Sequence, residues 1–209
     1  TWSFGHHTRS AANAGGLADK TVTSFAEDRI GRIWIGTFGG LHGMDRQTGA
    51  VSRYVPKSGT MSDRVMALAT DPDGMLWIGT MDAGLSRLDP STGSLRSYRH
   101  DASRSNSLGS DAVMSLLFDT VGDLWVGTFQ GGLNRFDAAT GGFTRYRSNA
   151  ADPHSLGADD VTSLAQDGSG ALWVGSYGGG LYRLDPASGV FTAYRRDPAN
   201  PHSLSDDAI

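Results

Sequence analysis

The stretch from residue 119 to residue 137 reads DTVGDLWVGTFQGGLNRFD, and it recurs along the chain. Its central phrase is Trp followed by Ile or Val, then Gly, then Thr or Ser. The four copies begin 43, 48 and 48 residues apart, at Trp34, Trp77, Trp125 and Trp173. A fixed period of this length is typical of stacked supersecondary units. The repeat therefore predicts the fold better than any single segment does.

Each unit contains four short apolar segments joined by turn residues. The first segment, such as 113–118, is followed by an Asp and, three residues later, by a Gly. Asp can hydrogen-bond the backbone of a tight turn and Gly adopts positive φ, so this pattern indicates a hairpin. A Gly-Leu-x-Arg-x-Asp segment at 132–137 and a segment ending in Tyr at 143–146 complete the unit. Four antiparallel strands, named A to D, at a period of about 40–50 residues predict the blade of a β-propeller.

The phase of the repeat divides the chain into blades. Residues 1–21 are expected to hold strand D and the linker of a preceding blade, and residue 209 to start a following one. The complete blades are expected at 22–64, 65–112, 113–160 and 161–208. The expected fold is thus all-β, with four four-stranded antiparallel blades and partial strands at both ends, cut from a larger propeller. A closed four-bladed ring is the alternative. Exposed strand edges invite pairing with another chain, so we also expect a homodimer.

Composition excludes several classes of protein. The 209 residues carry a formal charge of −4, and none of them is Cys. A net negative charge argues against nucleic-acid binding, which needs a concentrated basic patch. The lack of Cys excludes a disulfide framework, thiol catalysis and Cys-ligated zinc. No run of 18 apolar residues is present, so no membrane span is expected.

The extended phrase resembles a known repeat. Asp-x-x-Gly-x-Leu-Trp-[Ile/Val]-Gly-Thr-x-x-Gly-Gly-Leu-x-Arg-x-Asp, with the following Thr-Gly-x-Phe-x-x-Tyr and Asp-Pro-x-Ser-Leu, is similar to the two-component regulator propeller repeat. The resemblance covers nearly the whole chain, four times over. It implies a periplasmic sensor region followed by a β-sandwich, a membrane helix and a cytoplasmic histidine kinase or diguanylate cyclase. It also implies adjacent blades or the β-sandwich as partners of this segment.

Positions that vary inside the fixed frame are the candidates for ligand binding. They lie in the link between strands B and C, and they are Phe38, Met81, Asp82, Phe129, Gln130 and Tyr177. In a propeller these links share one face with the D–A loops, around the channel mouth, and loops on a rigid scaffold often carry function. Aromatic side chains with a few polar groups would suit a small polar ligand such as a sugar. The alternative is that these residues cap the channel or pack on an adjacent domain.

The repeated Trp, Arg and Asp residues favour structural roles. Each strand-B Trp is expected to pack between neighbouring blades, because its phase is the same in every unit. The strand-C residues Arg87, Arg135 and Arg183 are expected to form ion pairs or to bond turn groups, with anion binding as the alternative. The repeated Asp residues are expected to cap turns.

No catalytic residue, metal site or cofactor is predicted. The chain contains no His-Glu-x-x-His, no Gly-x-Ser-x-Gly and no phosphate-binding loop, and Glu27 is its only Glu. The expected function is therefore non-enzymatic sensing. The alternatives are a propeller enzyme of the lyase or lactonase type with a channel site, and a scaffold that binds another protein.

Overall fold

A computed structural model describes residues 16–57 and 61–209 of the chain. These residues form sixteen strands in four four-stranded antiparallel sheets, and they form no helix. Each sheet keeps its strands in chain order, as the blade prediction requires. The all-β propeller architecture is thereby confirmed. The segment 2–8, interpreted above as a strand D, lies outside the described residues.

The strands of each blade run in the order A, B, C, D. The first blade contains β1 (Val22–Glu27), β2 (Ile33–Thr37), β3 (Gly40–Met44) and β4 (Val51–Arg53). The second contains β5 (Val65–Thr70), β6 (Leu76–Thr80), β7 (Leu85–Leu88) and β8 (Leu95–Tyr98). The third contains β9 (Val113–Phe118), β10 (Leu124–Thr128), β11 (Gly132–Asp137) and β12 (Gly142–Tyr146). The fourth contains β13 (Val161–Gln166), β14 (Leu172–Ser176), β15 (Gly180–Asp185) and β16 (Val190–Tyr194).

The A–B turn is closed by its aspartate. In the third blade, Oδ1 of Asp119 accepts the N–H groups of Val121 and Asp123 at 3.1 and 2.8 Å. Gly122 completes the turn at a φ of 93°, a conformation that favours glycine. The same pair of bonds forms at the aspartates Asp28, Asp71 and Asp167. The Asp-x-x-Gly pattern thus specifies the hairpin.

The glycine of the Trp phrase has a different role, because it lets the next blade approach closely. A Cβ on Gly79 would lie 2.5 Å from Cγ1 of Val113, the first residue of the next blade. The glycines of the first and third blades meet Val65 and Val161 in the same way. Each of these valines is fully buried, with 0% exposure. The phrase therefore encodes the contact between blades as well as a strand.

Tryptophan anchors each interface between blades, as predicted. Trp125 is fully buried in a cluster with Val161, Leu172, Val174 and Leu184 of the fourth blade. Trp34 and Trp77 pack in the same way on the second and third blades. Trp173 is only half-buried, because no described blade follows it.

The blades form an open series. Their inner strands pack as β1 on β5, β5 on β9 and β9 on β13, and within the described residues β13 does not pack back on β1. Two D–A loops cross the outer strand of the following blade: Phe143 donates its N–H to the Asn106 carbonyl at 2.8 Å, and Phe191 donates its N–H to the His154 carbonyl at 2.9 Å. These loops cover edge strands that would otherwise be free to pair with another chain.

Candidate functional site

The B–C links and the ends of the D–A loops meet on one face, here called the loop face. The N–H groups of Met81, Phe129 and Tyr177 donate to the residue just before strand A of their own blade, at 3.0, 2.9 and 2.9 Å. Their acceptors are the carbonyls of Arg64, Ala112 and Asp160. Backbone bonds therefore fix the candidate residues beside the loops, as the topology predicted.

Each link is also closed internally by a buried hydroxyl. In the third blade, Oγ1 of Thr128 donates to the Gly132 carbonyl at 2.8 Å, and the side chain is fully buried. The residues at the same place in the other blades are Thr37, Thr80 and Ser176. The last position of the Trp phrase thus makes the link rigid.

The candidate side chains reach solvent to different extents. Phe38 and Phe129 are each 41% exposed and Tyr177 is 64% exposed. Asp82 and Gln130 are exposed, and Met81 is half-buried. Within the described residues, no close ring pair includes Phe38, Phe129 or Tyr177. The structure therefore places one or two of these residues in each blade along the loop face, and it does not pair their aromatic rings.

Gln130 has an unusual backbone. Its φ of 59° is the only positive value among the described non-glycine residues. Its N–H donates to Oδ1 of Asp160, in the loop that leads to the fourth blade, at 2.7 Å. A side-chain residue in this region of φ is uncommon and often marks a constrained site. The observation directs attention to the third link.

Each strand-B tryptophan bonds the aspartate of its own A–B turn. Nε1 donates to Oδ2 of that aspartate at 3.0, 3.0, 2.8 and 2.9 Å in the four blades. The pairs, in chain order, are Asp28–Trp34, Asp71–Trp77, Asp119–Trp125 and Asp167–Trp173. The indole therefore joins the turn to the core, which confirms its structural role.

The strand-C arginines form ion pairs beside these tryptophans, as predicted. Arg87 donates to Oδ2 of Asp71 at 2.9 Å, and its guanidinium lies over the Trp77 ring, 5.6 Å from the centroid. Burial opposes ionisation of Asp71, but the bonds from Trp77, Met75 and Arg87 outweigh it and lower the pKa of this carboxyl. Arg135 pairs with Asp123.

In the first blade, an arginine of the A–B turn replaces the missing strand-C arginine. Gly43 stands where the other blades have Arg, and the side chain of Arg32 takes the free space, with its guanidinium 5.3 Å from the Trp34 ring centroid. Arg183 of the fourth blade lies 3.7 Å from Oδ2 of Asp167. In all four blades a guanidinium therefore lies close to the Trp–Asp unit.

The aspartates that follow the strand-C arginines by two residues cap the C–D turns. Asp89 accepts hydrogen bonds from the hydroxyls of Ser91 and Thr92 at 2.6 and 2.8 Å. These bonds and the N–H of Ser91 lower the pKa of Asp89 to about 2. The pKa values of Asp137 and Asp185 are lowered by the same kind of bonds, from Thr140 and Ser188 first. These carboxylates stabilise their turns, as predicted.

Sequence reasoning missed one buried polar row. The x of Gly-Leu-x-Arg is at most 3% exposed in every blade, and its residues are His42, Ser86, Asn134 and Tyr182. Asn134 accepts the N–H of Gly109 at 2.9 Å, and Nε2 of His42 accepts that of Ala18 at 2.9 Å. In the first and third blades this position therefore fastens the incoming D–A loop to strand C. The residue at this position differs in every blade, and this variation was the signal in the sequence that could have identified the row.

Clefts between blades open on the face opposite the loop face, at the A–B and C–D turns. One of about 450 Å³, between the second and third blades, is lined by Trp77, Tyr98 and Phe118. Another of about 610 Å³, between the third and fourth, is lined by Asp119, Gln166 and other polar residues. These clefts were not predictable from the repeat pattern.

Comparison with known families agrees with the repeat. The family model described as two component regulator propeller matches residues 16–39, 59–82, 107–130 and 155–178. The chain carries four two component regulator propeller repeats. Each match extends from the D–A loop through strands A and B into the B–C link. The four family repeats therefore include the candidate loop-face residues.

Two solved structures from B. thetaiotaomicron share the arrangement. The extracellular domain of the hybrid two component system BT3049 is 25% identical with a TM-score of 0.75, covering 85% of this chain and 25% of its own. The extracellular domain of BT4673 is also 25% identical, with a TM-score of 0.73, covering 91% of this chain and 24% of its own. This chain thus spans about a quarter of the length of those domains.

Other solved structures share the fold alone. Virginiamycin B lyase from Staphylococcus aureus is 15% identical, with a TM-score of 0.62, covering 85% of this chain and 56% of its own. No curated protein matches the chain. The described residues contain no helix that is long and apolar enough to cross a membrane.

Proposed function

We propose that this chain is a ligand-sensing propeller segment in the periplasmic part of a bacterial signal-transduction receptor. Four family repeats and the likeness to extracellular domains of two-component systems support this function. In this proposal, ligand binding alters the packing of the segment on its neighbours, which are further blades or a β-sandwich. The signal then reaches a cytoplasmic kinase or cyclase outside this chain.

The loop face is the proposed binding surface. The observation that carries this proposal is the exposure of aromatic rings on links that backbone bonds hold rigid, with Tyr177 64% exposed. Rigid links lower the ordering cost of binding. Phe38, Met81, Phe129 and Tyr177 would supply ring or thioether contacts. Asp82 and Gln130 would hydrogen-bond a small polar ligand such as a sugar.

The proposed binding surface is tested by ligand binding to variants of this chain. Soluble oligosaccharides are screened by saturation-transfer NMR, and any ligand found is titrated by calorimetry against the triple variant Phe129→Ala, Gln130→Ala, Tyr177→Ala. The matched control is Ile30→Ala with Val121→Ala, since both residues are 81% exposed and lie in A–B turns, at the far ends of the blades. The loop-face variant should bind at least tenfold more weakly and the control should not change. Equal affinity in a folded triple variant would place the ligand elsewhere.

The lyase and lactonase functions of some fold neighbours are not part of this proposal. Glu27 forms an exposed ion pair with Arg46 at 2.9 Å and does not face the loop face. Within the described residues, no three His, Asp or Glu side chains are placed to hold a metal ion. An acid–base or metal site therefore has no support from the residues described.

A further inference from the structure

One arginine anchors the loop between the second and third blades. Arg145 on β12 donates from Nε to the Ser107 carbonyl at 2.7 Å. Its Nη2 donates to the carbonyls of Arg104 and Leu108 at 3.0 and 3.3 Å and to the Ser107 hydroxyl at 2.5 Å. Burial, with a smaller effect from Arg147, lowers the pKa of Arg145. A guanidinium thus occupies a cage of loop oxygens, which is the donor geometry that arginine provides.

The same loop recurs 48 residues later with the same internal bonds. The Ser107 hydroxyl accepts the N–H of Asp101 at 2.9 Å, and the Ser155 hydroxyl accepts that of Asn149 at 3.0 Å. The Ser155 N–H donates to the Asp152 carbonyl at 3.1 Å, as that of Ser107 does to its counterpart at 3.2 Å. The same bonds form a third time at Ser203, in the loop that follows the fourth blade, but only the first two loops lie against a described strand D of a following blade.

The arginine that fills the cage is present only in the third blade. The residue on β16 that corresponds to Arg145 is Ala193, whose methyl group cannot reach the loop. A cavity of about 360 Å³ remains, lined by Ser155, Leu156, Tyr182, Ala193 and Arg195, among others. Its size lies in the range of about 300–1,000 Å³ that is usual for small-ligand sites.

Burial of the two loops differs accordingly. Ser107 is 8% exposed, whereas Ser155 is only half-buried. Gly109 is buried, whereas Gly157 is exposed. Carbonyl oxygens that lose a buried donor are costly unless another donor or water replaces it. Among the described hydrogen bonds, the Ser155 carbonyl accepts none, whereas the Ser107 carbonyl accepts one from Nε of Arg145. The carbonyls of Asp152 and Leu156 lie 2.8 and 3.2 Å from the Ser155 hydroxyl, a single donor that both of them share.

We propose that this cavity binds a guanidinium group carried on an alkyl stem. The carbonyls of Asp152, Ser155 and Leu156 would accept its N–H groups, as their counterparts accept those of Arg145. Asp152 places a carboxylate at the rim where the first loop has Arg104, while Asn149 stands where that loop has Asp101. The stem would lie along Ala193, where the chain of Arg145 lies in the third blade.

Arg195 is the like charge that faces this site. It lines the cavity, and its guanidinium donates to the Tyr182 hydroxyl at 2.7 Å. Its counterpart Arg147 instead pairs with Asp159 at 2.8 Å, away from the corresponding cage. Replacing Arg195 with Gln should therefore strengthen binding of a cationic ligand.

The test uses the whole chain and two probes, ethylguanidinium as a free cation and the peptide acetyl-Gly-Arg-Gly-amide. Binding is followed by amide chemical shifts in the 148–157 loop, with acetyl-Gly-citrulline-Gly-amide as the neutral control. At least one probe should shift these amides at millimolar concentration, and the citrulline peptide should not. Shifts from the peptide alone would identify a protein arginine as the natural group, and shifts from both probes a free alkylguanidine.

Two variants complete the design. Ala193→Arg should fill the cavity from within and weaken binding at least tenfold. Arg145→Ala should create a second site, with new shifts at 100–109 on addition of ethylguanidinium. The inference is overturned if Arg145→Ala gains this site while the natural chain shows no shifts at 148–157. It is also overturned if Ala193→Arg, folded, binds as the natural chain does. Neither result bears on the loop face, so the sensing proposal is judged separately.

Discussion

Replacing Trp125 with Phe removes one hydrogen bond and part of a buried ring from the interface between blades. A smaller ring remains in the cluster of the third and fourth blades, and Oδ2 of Asp119 loses its Nε1–H donor at 2.8 Å. Asp119 is only 7% exposed, and no other described side chain donates to this oxygen. A hydrogen bond to a charged, buried acceptor contributes about 1.5–3 kcal/mol. Because the smaller ring also vacates buried volume, we expect the free energy of unfolding to fall by at least about 2 kcal/mol.

The matched substitution is Trp173→Phe in the fourth blade. The same bond is 2.9 Å long there, but the side chain of Asp167 is 31% exposed. The Asp167 carboxylate also accepts the Ser169 hydroxyl on its other oxygen, and water can replace the indole. The loss should therefore be clearly smaller than at Trp125.

Urea denaturation followed by far-ultraviolet circular dichroism measures both losses without relying on tryptophan emission. The midpoint should fall more for Trp125→Phe than for Trp173→Phe, with an unchanged slope. Equal shifts, or a loss below about 0.5 kcal/mol at Trp125, would refute the argument, because a surface substitution typically costs no more than that.

Two further outcomes follow from buried contacts. Burial first, and then Arg53, lowers the pKa of His42 below 6.5, so the folded chain holds this imidazole neutral while the unfolded chain binds a proton. Stability should be complete above about pH 7 and fall by up to about 1.4 kcal/mol per unit as the pH drops below 6.5. His42→Asn, the residue of the third blade, should flatten that fall in acid denaturation curves, and an unchanged profile would contradict the assignment. Gly79→Ala should cost about 1–3 kcal/mol in urea denaturation by overpacking against Val113. Gly168→Ala, where a Cβ meets nothing within 4 Å, should be close to neutral.

Local chemistry made the blade predictable. The Asp-x-x-Gly turns need only a side-chain acceptor and a glycine within four residues, and the structure forms them where the sequence indicated. The strand-B tryptophans and strand-C arginines were also predictable in role, because an identical phase in every unit points to a repeated contact. Gln130 was selected for its varying identity, but its positive φ was not predictable.

The sequence alone determined the four-stranded unit, its period, its family and the face on which the B–C links lie. Those features depend on bonds between residues close in the chain or on a pattern repeated four times. Only the tertiary structure decided what happens between units. The loop contacts of His42, Asn134 and Arg145 join residues about 25 to 40 apart, and the clefts lie between residues of two neighbouring blades. Ala193 leaves a cavity because the loop that faces it keeps the shape that Arg145 fills in the preceding blade.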